Sequence, residues 1–160
     1  MQLDQIFKIE FISANLLAKT KIEALAELVN TIIQGGIKLK SSLIIEILQQ
    51  RENLGSTGIG DGIAIPHGKI PELDDLVLAF GRSTEGIDYD SLDGKPVHLF
   101  FLLLAPGNSA GQHLKVLARI SKMLKIANFR KMLLKAKSQS DLYKIIIDQE
   151  NSCIPGEKGL

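Results

Sequence analysis

Apolar residues along the chain switch between helical and strand periods, and those switches predict the elements. Ile22, Leu25, Ala26, Val29, Ile32 and Ile33 recur at helical spacing. Thr20 and Glu23 form a capping-box pattern before them, and Gly35-Gly36 ends the run. A second helix is predicted from Ser41 or Ser42, burying Ile44, Ile47 and Leu48 and ending near Asn53, with Arg51 on its last turn. Short strands are predicted at Ile9 to Ile12, at Ile63-Ala64-Ile65-Pro66 and from Val77 to Arg82. Val97 to Ala105 shows no polar alternation after His98, the pattern of a central strand covered on both faces. Beyond the turn Pro106-Gly107-Asn108-Ser109, Leu114, Leu117, Ala118, Ser121 and Leu124 mark one face of a third helix. Phe129 to Ala136 and Asp141 to Gln149 predict two more, the last capped by Ser138 or Ser140.

Four strands and five helices in this order predict an α/β fold, with helices on both faces of one sheet of four to five strands. Two helices separate the first two strands and short gaps separate the later ones, so a mixed sheet is expected. A length of 160 residues suits one domain, read as residues 1–150, followed by a flexible tail over 151–160 that contains Pro155, Gly156 and Gly159.

Composition narrows the function classes. The chain is 45% apolar and 23% charged, with a formal net charge of +1. Read over the whole length, its lysines and arginines are scattered, which gives no footprint for nucleic acid or an anionic membrane. The single cysteine, Cys153, has no internal partner, so a cytoplasmic protein is expected. No basic segment followed by an apolar core opens the chain, and the run Leu99 to Ala105 is too short to insert into a bilayer.

The stretch from Arg51 to Lys69 is unlike a core segment. It reads Arg-Glu-Asn-Leu-Gly-Ser-Thr-Gly-Ile-Gly-Asp-Gly-Ile-Ala-Ile-Pro-His-Gly-Lys. Such a density of glycine gives up burial and raises the entropic cost of ordering. It suits a site where backbone amides approach an anion. A Walker loop is excluded because Asp61-Gly62 stands where Gly-Lys-Ser or Gly-Lys-Thr is needed. A dinucleotide fingerprint is excluded because the glycines precede Ile-Ala-Ile-Pro, which cannot open a helix.

A phosphoryl group on His67 fits the stretch better. A neutral imidazole offers an unprotonated nitrogen near neutral pH and so is a nucleophile without a dedicated base. The Arg51 guanidinium can meet two phosphoryl oxygens in a planar fork. Hydroxyls of Ser56 and Thr57 and amides at Gly58 and Gly60 are candidates for the third. His113, at the start of the third helix, is a second candidate that would bond the phosphoryl group or orient His67. The bland alternative, a tight glycine connection and an ordinary loop histidine, leaves this clustering unexplained.

Other chemistries have weaker support. His98 opens the central strand and reads as structural. Zinc on His67, His98 and His113 lacks any CxxC or HExxH spacing. Ser56 or Thr57 as a nucleophile lacks a G-x-S-x-G elbow. No metal and no cofactor are expected.

The stretch as a whole resembles the active-site signature of fructose/mannitol-type (type 2) enzyme IIA domains of the bacterial phosphotransferase system. The resemblance runs from about Ile6 to Glu150 and includes Asp93-Gly94-Lys95-Pro96-Val97 and Gln112-His113-Leu114. It is strongest to the stand-alone nitrogen-regulatory members. The resemblance implies a three-layer α/β/α sandwich with His67 phosphorylated by a histidine-containing phosphocarrier protein. Arg51 and His113 match the family's active-site arginine and second histidine. Regulatory target proteins, or a sugar-specific enzyme IIB, are the implied further partners. With no IIB-like or transport segment following in the chain, a regulator is expected over a sugar-transport component. One departure is Asp61, where the family often carries Asn.

Overall fold

The computed structural model describes residues 1–153. Most of the polar tail expected to be flexible therefore lies outside the described residues. After a short 3-10 turn at Leu3–Gln5 come β1 (Phe7–Ser13), α1 (Lys21–Gln34) and α2 (Ser41–Asn53). Next come β2 (Gly58–Gly60), β3 (Ile63–Ala64), β4 (His67–Lys69), β5 (Val77–Ile87) and β6 (Val97–Ala105). The chain closes with α3 (Gln112–Leu124), α4 (Ala127–Lys135) and α5 (Gln139–Ser152).

The sheet is mixed and has six strands in the order β1-β5-β6-β3-β2, with β4 also on β6. β5 lies antiparallel to β6, while β1 is parallel to β5 and β3 and β4 are parallel to β6. Leu99, Phe101 and Leu103 of β6 point into a core closed by α3, α4 and α5. Phe100, Leu102 and Leu104 point into a second core under α1 and α2. The result is the three-layer sandwich, and β6 is its buried centre. Each fully buried leucine or phenylalanine there contributes about 2 kcal/mol from removal of apolar surface from water.

Local chemistry places the helices where the sequence puts them. Thr20 accepts from the Glu23 amide and Glu23 reaches back, completing the capping box of α1. Ser138 caps α5 by accepting from the Asp141 amide. α5 runs to Ser152, past the expected end at Gln149. Among the described residues no helix is long and apolar enough to cross a membrane.

Three expectations change. The glycine-rich loop contains a strand of its own. β2 and β3 form a hairpin whose turn, Asp61-Gly62, has φ of 56° and 76°. Positive φ at both central residues is the type I′ signature, for which Asp-Gly and Asn-Gly are the preferred pairs. Asp61 therefore meets the same backbone demand that Asn would. β5 extends past Arg82 to Ile87, which pairs with Val97 beyond an irregularity in the ladder, and the buried Arg82 guanidinium donates to the carbonyls of Ala14, Leu133 and Ala136. Finally, α3 is phased differently. Val116, Ile120, Met123 and Leu124 face the core, while Leu114 is 61% exposed. Both apolar stripes have helical spacing, and contact with the β6 face selects the first.

Candidate functional site

Strands β3 and β4 are one line broken by a proline. Ile63 and Ala64 pair with Leu99 and Phe100, and His67, Gly68 and Lys69 pair with Leu103, Leu104 and Ala105, so the register is unbroken. Pro66 has no N–H to give, yet its carbonyl still accepts from the Leu103 amide at 3.0 Å. His67 consequently opens a short strand at the C-terminal end of the sheet, instead of following the strand predicted at 63–66.

This strand end forms one wall of a cleft of about 500 Å³. The last turns of α2 contribute Ile47, Gln50 and Arg51, with Leu54 just beyond, and the start of α3 contributes His113 and Leu117. Leu103 and Ala105 of β6 make its floor. β4 packs tightly on α2: a Cβ at Gly68 would lie 3.1 Å from Ile47 Cγ2. Sequence-distant His67, His113 and Arg51 are thus brought to one cavity.

The half-buried His67 ring has a defined tautomer. Its Nδ1 lies 2.8 Å from the carbonyl oxygen of Ile65. A carbonyl can only accept, so Nδ1 carries a hydrogen, and in the neutral ring Nε2 is the nitrogen with the lone pair. Ser109 Oγ lies 2.8 Å from Nδ1 of His113. Burial, then the charge of Lys69 and the cost of a second imidazolium beside His67, hold the His113 imidazole below its ordinary value. Arg51 donates from Nη1 to the Gly55 carbonyl at 2.9 Å, which ties the guanidinium to the loop leaving α2.

The other four predicted phosphoryl contacts do not line the cleft. Thr57 is buried; its hydroxyl donates to the Glu52 carboxylate and its amide reaches Glu52 Oε1 at 3.0 Å. Ser56 Oγ accepts from the Gly58 amide at 3.1 Å and lies 3.4 Å from the Tyr89 carbonyl. Gly58 is glycine because a Cβ there would come within 2.9 Å of Ser91 Cα. Gly60, at φ 100°, bends the chain into the hairpin turn. Their polar groups shape the loop, and the cleft is lined by the ends of α2 and α3 with β4 and β6.

Two residues went unread in the sequence. Lys69 shares the cleft with His67, and its position two residues on places it on the same side of the strand. Glu52 is buried beside Arg51 and collects Thr57, Tyr89 Oη at 3.0 Å and Lys21 Nζ at 3.1 Å. No sequence signal separates it from an ordinary exposed helix glutamate. His98 lies outside the cleft, with Nδ1 2.9 Å from the Ser83 carbonyl. Among the described residues no three His, Cys, Asp or Glu side chains are grouped to hold a metal ion.

A histidine whose Nδ1 is tied to a carbonyl thus shares one cleft with Arg51, Lys69 and His113 at the edge of a mixed sheet. The family model for "Phosphoenolpyruvate-dependent sugar phosphotransferase system, EIIA 2" matches residues 5–149, and the chain belongs to that family, whose domains are phosphoryl-transfer components. The "PTS system fructose-specific EIIABC component" of Bacillus subtilis is 37% identical over 146 residues, 91% of this chain. The chain spans 23% of that relative's length. The crystal structure of nitrogen regulatory protein IIA-Ntr from Neisseria meningitidis superposes with a TM-score of 0.83 at 32% identity, covering 89% of this chain and 97% of that one. Escherichia coli enzyme IIA-mannitol, solved in complex with phosphorylated enzyme IIB-mannitol, shares the fold at a TM-score of 0.71 and 22% identity, over 88% of this chain and 97% of that one.

Proposed function

We propose that this chain is a regulatory enzyme IIA that accepts a phosphoryl group on Nε2 of His67 from a histidine-containing phosphocarrier protein. The observation that carries the reading is the His67 Nδ1 to Ile65 carbonyl hydrogen bond of 2.8 Å, which occupies Nδ1 and makes Nε2 the ring nitrogen available as nucleophile in the neutral ring. In the transfer, the His67 Nε2–P bond forms as the donor's N–P bond breaks, and the donor imidazole leaves with that electron pair. The phosphorylated His67 ring carries positive charge, which the Ile65 carbonyl stabilises through Nδ1–H. Arg51 and Lys69 offset the phosphoryl charge, and neutral His113 donates from Nε2–H while Ser109 holds its Nδ1. Leu54 and Leu114, 85% and 61% exposed, supply apolar area beside the cleft for the incoming carrier.

The charge change itself is the signal. A phosphoryl group adds close to two negative charges to a surface that otherwise offers cations, and so selects between target proteins. The greater similarity to the nitrogen regulatory structure than to the mannitol enzyme supports the regulatory reading. The alternative is a sugar-transport component that passes the group to a fructose/mannitol-type enzyme IIB, supported by the fructose-specific relative.

The test supplies phosphoenolpyruvate, enzyme I and a phosphocarrier protein and measures intact mass. We expect one acid-labile, alkali-stable phosphate on the wild type and none on His67→Ala. Label persisting in His67→Ala overturns the assignment. Rapid discharge to a purified fructose-type enzyme IIB favours the transport alternative.

A further inference from the structure

The near-neutral total charge conceals a one-sided distribution. Between Asp93 and Asp141 the chain has no Asp or Glu, although it holds 18 in all, and the same span carries nine Lys and Arg residues. The rest of the chain is therefore net negative. The carboxylate-free span includes α3 and α4, which with α5 cover one face of the sheet. Nine of the 19 Lys and Arg residues, from Lys115 to Lys144, lie on α3, α4, α5 or the turns between them.

Six lysines on that layer, Lys122, Lys125, Lys131, Lys135, Lys137 and Lys144, are exposed. Among the described residues none of them takes part in an ion pair; the pairs present are Lys21–Glu52 and Arg119–Glu150. Apolar side chains stand among them: Ile126, Met132 and Leu134 are 38%, 43% and 47% exposed. Lys135, Lys137 and Lys144 also rim a cleft of about 390 Å³ whose apolar lining includes Met132 and Ile145 and whose one carboxylate is Asp141.

We propose that this α3–α4–α5 face is a docking surface for an anionic membrane, with lysines at the acidic phospholipid headgroups and Met132, beside the lysine-rimmed cleft, entering the interfacial layer. Charge complementarity supports an anionic partner, and the side-chain types favour a bilayer over an acidic protein. Protein interfaces are enriched in arginine and aromatic residues and depleted in lysine. Here the arginines are engaged: Arg119 with Glu150, and Arg130 with the Leu124 carbonyl. The aromatics are also withdrawn, Phe129 into the core and Tyr143 stacked on Phe7. Base readout in nucleic acid would call for free arginines or stacking aromatics, and phosphate contacts alone would leave the exposed Met132 without a partner. A headgroup layer needs only ammonium groups at the ends of flexible apolar stems. Of the carboxylates on α5, Glu150 is buried, Asp141 rims the cleft and Asp148 lies further along the helix; a screening length of about 8 Å weakens repulsion from acidic groups beyond this layer. None of the six lysines, Met132 or Leu134 lines the His67 cleft.

The test is co-sedimentation of the full chain with vesicles of equal parts phosphatidylglycerol and phosphatidylcholine, against phosphatidylcholine alone. We expect binding to the anionic vesicles only, and its loss in about 1 M salt, where screening shortens to about 3 Å. A Lys131→Glu/Lys135→Glu/Lys137→Glu variant should bind roughly a hundredfold more weakly and keep phosphorylation on His67. If that variant misfolds, glutamine at the same positions removes the charge without reversing it and should also weaken binding. Failure to bind anionic vesicles, equal binding to phosphatidylcholine, or undiminished binding by the folded lysine variants overturns the proposal. So does salt-sensitive binding to polyglutamate or duplex DNA without vesicle binding.

Discussion

Tyr89 donates its hydroxyl to Glu52 at 3.0 Å, deep beneath the loop that joins α2 to β2. Burial, then the neighbouring carboxylate, push the phenol well above its ordinary range, so it remains a donor at every physiological pH. Thr57 and Lys21 complete the set around Glu52. Removing the carboxylate strands several donors in a buried space. Glu52→Ala should cost about 3 kcal/mol of stability and Tyr89→Phe about 1 kcal/mol. The double variant should lose less than the two added together, because both delete the same interaction. Urea denaturation of the four proteins measures this, and strict additivity contradicts the shared network.

Arg51 is half-exposed at the cleft and makes its hydrogen bond to the Gly55 carbonyl on the surface. Its loss should touch transfer far more than folding. Arg51→Ala should slow phosphorylation of His67 about a hundredfold with little change in thermal midpoint. Arg51→Lys should restore only part of the rate, since an ammonium lacks the planar fork. Single-turnover labelling decides, and wild-type rates in Arg51→Ala remove this residue from the site.

His113 ties stability to pH. Its folded value is depressed below the ordinary 6.5, chiefly by burial. Below about pH 6.5 the unfolded chain takes up a proton that the folded site resists, so stability at this site is complete above that value and falls as pH drops. His113→Gln removes the penalty. Urea midpoints of the two proteins should therefore converge, or cross, on going from about pH 7.5 to about pH 5.5. Parallel profiles would show that His113 titrates as it does in the unfolded chain.

Gly58 separates a structural glycine from an anion-binding one. An added Cβ meets the Ser91 backbone, which cannot rotate away. Gly58→Ala should destabilise the protein by about 2 kcal/mol, while the folded fraction still accepts phosphate at the wild-type rate. A stable variant with lost acceptance would return Gly58 to the phosphoryl site.

These contrasts show where the sequence was legible. The β6 run and the α1 capping box speak through local chemistry, since unbroken hydrophobicity and a Thr-x-x-Glu spacing each leave few alternatives. His67 was visible because a glycine-rich lead-in and a proline both limit where a histidine can sit. Thr57 and Glu52 were not, because partnership across five residues of irregular loop follows no period. The face of α3 was ambiguous for another reason: two apolar stripes compete on one helix, and only the neighbouring strand chooses between them. The Asp61-Gly62 hairpin signal was present but was masked by the density of glycines around it.

The pairing of β4 with β6 has a consequence for synthesis of the chain. The whole glycine-rich signature, His67 included, is made by residue 69, but the strand that seats it ends at Ala105 and the opposite wall begins at Gln112. Until those later residues leave the ribosome, the imidazole has neither floor nor neighbour. Nascent chains or truncations that carry every residue of the signature should therefore be inert as phosphoryl acceptors. Under the proposed function, competence at His67 should arrive late, together with the closing of the sheet.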